Sequence, residues 1–205
     1  MKSCMLSAKI FVLTIILYSC QSRMEVSQVV LNEDVSRVIK DKKEFFSEQI
    51  HPSAGLPLLY TYDVQHYTFG DVDFKNNSQQ TALGINSVGF YLYKAYNKEE
   101  NKIAGIRIEV HEQGEELFSY LKEKYGEPEE LAPEPETRYE GIVHGISAYI
   151  WKSDAPYTVI LSKSYATKDK EQLITTTVYI LNNDAVDSTA DGRTSVERLI
   201  QSLKQ

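Results

Sequence analysis

No residue after Cys20 is a cysteine, so nothing covalent can staple the fold of this chain, and packing alone must hold whatever it forms. The 205 residues are 42% hydrophobic and 25% charged, with six prolines. That is enough apolar surface for the core of one domain. It is too much for a disordered chain and too little for a membrane-embedded one. The missing thiols also remove Cys-based zinc sites, thiol catalysis and redox sensing from the functions to be considered.

Lys2 and Lys9 make a positive start, and Ile10 to Tyr18 is an apolar run broken only by Thr14. Such a run is too short for a hydrocarbon core that needs about 20 helical residues. A basic start, an apolar stretch and a small residue form the pattern of a secretory signal. Leu17-Tyr18-Ser19-Cys20 resembles the bacterial lipobox, with Leu three positions before the Cys and a small residue just before it. Tyr18 stands where a small residue is usual. The resemblance implies that residues 1–19 are removed, that Cys20 receives a diacylglyceryl group on its sulfur, and that the new amine is acylated. Two or three acyl chains hold a membrane firmly, at about 0.8 kcal/mol per buried methylene. Gln21, rather than Asp, implies passage to the outer membrane, on its periplasmic face or at the cell surface. The expected organisation is a signal peptide over 1–19, a lipid-anchored tether over 20–30 and a single domain over 31–205.

Formal net charge is −7, and loss of Lys2 and Lys9 with the signal takes it to −9. Nucleic acid is thereby excluded as a partner, because phosphate neutralisation needs clustered Lys and Arg. Broad adhesion to anionic lipid is excluded for the same reason.

Hydrophobic spacing orders the rest. Val35, Val38, Ile39, Lys42, Phe45 and Phe46 fall at helical spacing, with Asn32 as a cap and Pro52 with Gly55–Pro57 as the stop. Leu58 to Phe69 reads as a strand, 70–86 as a loop, and Val88 to Tyr93 as an aromatic strand. Ile103 to Val110 returns after a polar turn. Its Ala104, Ile106, Ile108 and Val110 alternate with Gly105, Arg107 and Glu109, which predicts one buried and one wet face. Glu115 to Tyr125 is the clearest helix, with acids at its start, Lys122 and Lys124 near its end, and Gly126 and Pro128 as the stop. An acidic, Pro-rich connector spans Glu127–Glu136. Strands follow at Ile146–Trp151, Tyr157–Ser164 and Ile174–Leu181. Thr194 and Glu197 form a capping box for a last helix whose apolar side is Val196, Leu199, Ile200 and Leu203. This order predicts an α+β domain, a mainly antiparallel sheet with about three helices packed on it. Leu121 to Pro128, followed by the Trp151 strand and two more, resembles uncharacterised small lipoproteins of Bacteroidetes-type bacteria over the last half of the chain. No activity comes with that resemblance.

The motifs that could carry chemistry fall short. His111-Glu112 begins like a zinc-protease helix but has Glu115 where the second His belongs, and it sits at a strand end. His51, His66 and His144 lack ligand spacing. Gly145 to Tyr149 lacks the second glycine of a nucleophile elbow. Glu115/Glu116 and Glu129/Glu130 read as solvated faces rather than a glycosidase pair. Asp187, Thr189, Asp191 and Gly192 match the start of a calcium loop, but its bidentate acid falls at Arg198, and Glu197 is one place early. Asp187-Ser188-Thr189 also resembles the O-glycosylation signal of Bacteroidetes-type bacteria. Asn76-Asn77-Ser78 is an N-glycan sequon, discounted in a bacterial lipoprotein. No catalytic residue, metal site or cofactor is predicted.

Tyrosine stands out, with 14 residues. Tyr91, Tyr93, Tyr149 and Trp151 occupy alternating strand positions and form the candidate binding face. Either they pack under the helices, the commoner arrangement, or part of the set stays accessible to a sugar or protein. The expected function is a membrane-anchored, non-enzymatic module that binds or assembles an envelope protein or glycan. The alternative is a periplasmic inhibitor or immunity protein against a toxin or hydrolase, for which an acidic chain suits a basic partner.

Overall fold

The computed structural model describes residues 23–39, 45–74, 85–96, 101–132, 137–139, 142–152, 154–168, 171–186 and 192–204. Cys20 and the signal region lie outside them, as do Asn76-Asn77-Ser78 and Asp187 to Asp191. A nine-stranded sheet forms the centre. Its order is β2 (Ser47–Ile50), β3 (Pro57–Thr61), β6 (Ser87–Leu92), β7 (Ile103–Val110), β12 (Glu171–Asn182), β11 (Tyr157–Lys168), β10 (Ile142–Trp151) and β8 (Glu129–Ala132), with β9 (Thr137–Tyr139) also on β10. All its pairings are antiparallel. A small sheet of β1 (Met24–Glu25), β4 (Tyr67–Phe69) and β5 (Val72–Asp73) includes the parallel pair β1–β4. Among the described residues the α-helices are α1 (Ser36–Ile39), α2 (Gly114–Tyr125) and α3 (Ser195–Leu203). The expected antiparallel sheet with three helices therefore forms, though strands dominate it.

Each face of the large sheet carries a core. On one, Phe90, Ile106, Ile108 and Val178 meet Leu117 and Leu121 of α2, joined by Val26, Val35 and Phe69 from the N-terminal segment and small sheet. On the other, Leu58, Tyr91, Ile160 and Leu181 share a cluster with Val196 and Leu199 of α3. Full burial of such a side chain contributes about 1.5–3 kcal/mol. Two sandwiched faces explain how the domain needs no disulfide.

Several expectations are corrected. Asn32 does not cap α1. It adopts a φ of 69°, tolerable for Asn, and Asp34 takes the capping role by accepting from the Ser36 amide at 2.8 Å. Helix α1 is described only to Ile39, and Phe45 and Phe46 stand outside any described α-helix. The Leu58–Phe69 stretch is two strands, because a turn at Val64–His66 takes the chain from β3 in the large sheet to β4 in the small one. Strand β2, exposed at all four positions, and strand β8, inside the acidic connector, were not expected as strands. Both lie along the sheet's rims, where backbone pairing needs no apolar alternation. In β7, Tyr91 opposes Gly105 while Leu92 opposes Ile103, so Ala104 is an extra, bulged residue. Its side chain joins the α3-face core instead of following Ile106.

Candidate functional site

The predicted aromatic face does not assemble as one surface. Register explains why: Tyr149 opposes Leu161, which opposes Val178, which opposes Ile108, which opposes Val88. Tyr149 therefore shares a face with Val88, and Tyr91, three residues from Val88, points the other way. Tyr149 and Trp151 lie on the α2 face beside Phe118, with ring centroids at 4.9 and 6.0 Å. Trp151 is buried, and its indole N–H donates to the Gly126 carbonyl at 2.7 Å. Tyr91 is fully buried on the α3 face. Tyr93 is half-buried and its hydroxyl donates to Asn32 Oδ1 at 2.7 Å. Of the four, Tyr93 and Tyr149 keep partial access to solvent.

Around Tyr91, however, the α3 face gathers a polar group. One cross-strand row runs Tyr60, Gly89, Arg107, Tyr179 across β3, β6, β7 and β12. Gly89 is packed tightly against β3, since a Cβ there would stand 2.8 Å from Leu58 Cδ1 and 3.1 Å from Tyr60 Cβ. Two residues along, β7 adds Glu109 on the same face, opposite Ser87 of β6. Arg107 pairs with Glu109, donates to Ser87 Oγ at 3.2 Å and hydrogen bonds with Tyr179. The Arg107 and Glu109 side chains are only 15% and 24% exposed. The expected wet face of β7 is thus half-buried at Arg107 and Glu109. The sequence shows the alternation, but only the neighbouring strands cover it.

The electrostatics follow from that burial. Desolvation opposes the Arg107 charge, but Glu109, Tyr179 and Tyr91 more than offset it and hold the guanidinium above its ordinary pKa. Burial, reinforced by Tyr179, pushes the Tyr91 hydroxyl well up, so it stays a neutral donor. His51, on the loop after β2, sits edge-on to Tyr91 at 5.4 Å and to Tyr179 at 6.1 Å. Burial, then the Arg107 charge, lowers its pKa to about 4. Its Nδ1 accepts from the Ala54 amide at 3.3 Å, which leaves the ring proton on Nε2. Next to Tyr60, edge-on at 5.4 Å, Tyr62 is 50% exposed and offers the group's aromatic outer edge.

Two atoms of this group, Arg107 Nε and Tyr91 Oη, are buried without a hydrogen-bond partner among the described residues. Leaving such a group unpaired costs about 1–3 kcal/mol each. His111 Nε2, on the same face beyond Glu109, is a third, while His111 Nδ1 meets Thr175 Oγ1 at 3.1 Å. The part of this group that reaches solvent is Tyr62 with the edge of the Arg107–Glu109 pair, an aromatic ring beside a donor and an acceptor, while the unpaired atoms lie beneath it. Ser87 is engaged by Arg107, whose N–H it accepts from, rather than by a histidine base. Sequence reasoning missed Arg107, Glu109, Tyr60, Tyr62, Tyr179 and His51. Their one sequence signal was a charged pair spaced by two inside an apolar strand.

The other motifs resolve locally. His111 and Glu112 precede α2 and lie outside it. Thr194 and Glu197 form the capping box in both directions, at 3.2 and 2.8 Å, which occupies the acid nearest the calcium-loop pattern. Among the described residues no cluster of three or more His, Cys, Asp or Glu could hold a metal ion, and no helix is long and apolar enough to cross a membrane. No protein-family model, no curated protein and no solved structure matches this chain.

Proposed function

We propose that this protein is a lipid-anchored envelope lipoprotein whose domain is a non-enzymatic binding module, and that it takes a neutral glycan on the Arg107 face. The supporting observation is the exposed Tyr62 beside Tyr60 with the partly exposed Arg107–Glu109 pair on the same side of the sheet. Arg and Glu side by side match the donor and acceptor capacity of vicinal hydroxyls, and tyrosine rings stack on sugar faces. Anchoring at Cys20 would keep the module in the envelope, with the outer membrane the expected address.

The test uses the chain from Gln21 onward, screened on envelope glycans, with Tyr62→Ala and Arg107→Gln as variants. Tyr62→Ala is expected to weaken glycan binding by about tenfold or more, as loss of an aromatic contact residue does, while the thermal melt stays put. Equal binding by wild type and Tyr62→Ala, with Arg107→Gln also unaffected, would refute the site. Capture of one basic protein at one-to-one stoichiometry, with no glycan bound, would instead identify the inhibitor or immunity function.

A further inference from the structure

The described residues begin very close to Cys20. Arg23 pairs with Asp73 at 2.6 Å, and β1 follows at once on the small sheet. Glu25 fastens it there: its carboxylate accepts from the Ser27 amide at 2.9 Å, the Thr68 hydroxyl at 2.9 Å and the Gly70 amide at 2.8 Å. Burial opposes the charge of Glu25, but these bonds outweigh it and hold its pKa below the ordinary value. Only Gln21 and Ser22 separate Cys20 from Arg23. Three residues of extended chain reach at most about 11 Å.

Beside this anchorage lies a shallow groove lined by Met24, Val29, Val30, Val38, Glu33 and Arg37. Val30 is 58% exposed, Glu33 and Arg37 are paired with each other at 3.2 Å, and Glu25 and Gln28 complete the polar part of the lining. The N-terminal segment packs on the α2 side of the large sheet, opposite the Arg107 face. We infer that this N-terminal edge lies against the bilayer surface, with the Val29–Val30 rim in the headgroup region and the Arg107 face left open to the aqueous side. This rests on Cys20 carrying lipid. With acyl chains inserted, a reach of about 11 Å is little more than the roughly 5–8 Å of one headgroup layer, so the domain cannot swing free. An acidic chain gains nothing from anionic lipid, so the contact is an apolar rim held by the short tether rather than by charge.

The experiment uses the mature lipoprotein in vesicles of neutral phosphatidylcholine, with a nitroxide on Val30→Cys or, as a control, on Ser164→Cys, an exposed position in β11. Compared with the same labels on the soluble chain from Gln21, collision with a water-soluble nickel chelate is expected to fall several-fold at Val30 and to stay unchanged at Ser164. Six Gly/Ser residues inserted after Ser22 should return Val30 to its soluble value. If mass spectrometry shows Cys20 acylated while Val30 changes no more than Ser164, the docked edge is refuted and the anchor stands. Continued protection with the long linker refutes the tether as its cause. An unmodified Cys20 refutes both the anchor and the docking.

Discussion

Tyr91 and His51 show how single residues in this domain balance stability against an available site. The Tyr91 hydroxyl is buried and has no hydrogen-bond partner among the described residues, so it costs the fold. Tyr91→Phe keeps the ring against His51 and should raise stability by about 1 kcal/mol in a denaturant titration. If the hydroxyl serves a ligand, the same variant should lose affinity for the glycan. A loss of stability would show that the hydroxyl is satisfied in the fold. His51 gives a pH signature. Its folded-state pKa of about 4 lies below the ordinary 6.5, so the unfolded chain binds the extra proton first between these values. Stability from His51 is therefore complete above pH 6.5 and lost as pH falls toward 4, by about 3 kcal/mol at most. His51→Asn, which keeps an acceptor for the Ala54 amide, should flatten the fall of Tm with pH in that window. An unchanged slope would assign the acid sensitivity to other groups.

At the scale of elements, the end of α2 is the most exposed to a single change. Gly126 has φ 84° and ψ −163°, a conformation open almost only to glycine, and its amide closes the helix on the Lys122 carbonyl at 2.9 Å. A Cβ at this position would meet nothing within 4 Å, so the penalty of a substitution is one of backbone strain alone. Gly126→Val should cost about 1–3 kcal/mol in a thermal melt, and the Trp151 bond to the same residue's carbonyl should make indole fluorescence report the loss. A melt unchanged by the substitution would refute this role for the backbone. Helices α2 and α3 are well marked in the sequence, unlike α1: the α2 dipole charges, its glycine stop and the Thr194–Glu197 box are local signals made by neighbours in the chain. Strands β2 and β8 were not, because a rim strand is selected by the backbone of the strand beside it and shows no apolar period of its own.

For the whole molecule, the expected role of Cys20 is separable from folding. None of the contacts described for the domain involves Cys20, so Cys20→Ala should abolish incorporation of labelled fatty acid and release the protein from the membrane fraction without shifting its Tm. Fatty-acid labelling that survives the substitution would remove the lipid anchor. What the amino-acid order determined alone was local: the period of each segment, the helix ends, the missing disulfides and the lipobox pattern at Cys20. What only the tertiary structure decided was which side chains meet. A strand's period of two separates its residues into two faces but does not say which face aligns with which face of a strand sixty residues away. The ladder from β10 through β11, β12 and β7 to β6 makes that choice, and it sends Tyr149 and Trp151 to the α2 face and Tyr91 to the α3 face. The same ladder turns Arg107 and Glu109 from an expected solvent face into a half-buried polar pair. Burial is a property of neighbours in space, and hydrogen bonds between distant strands select them.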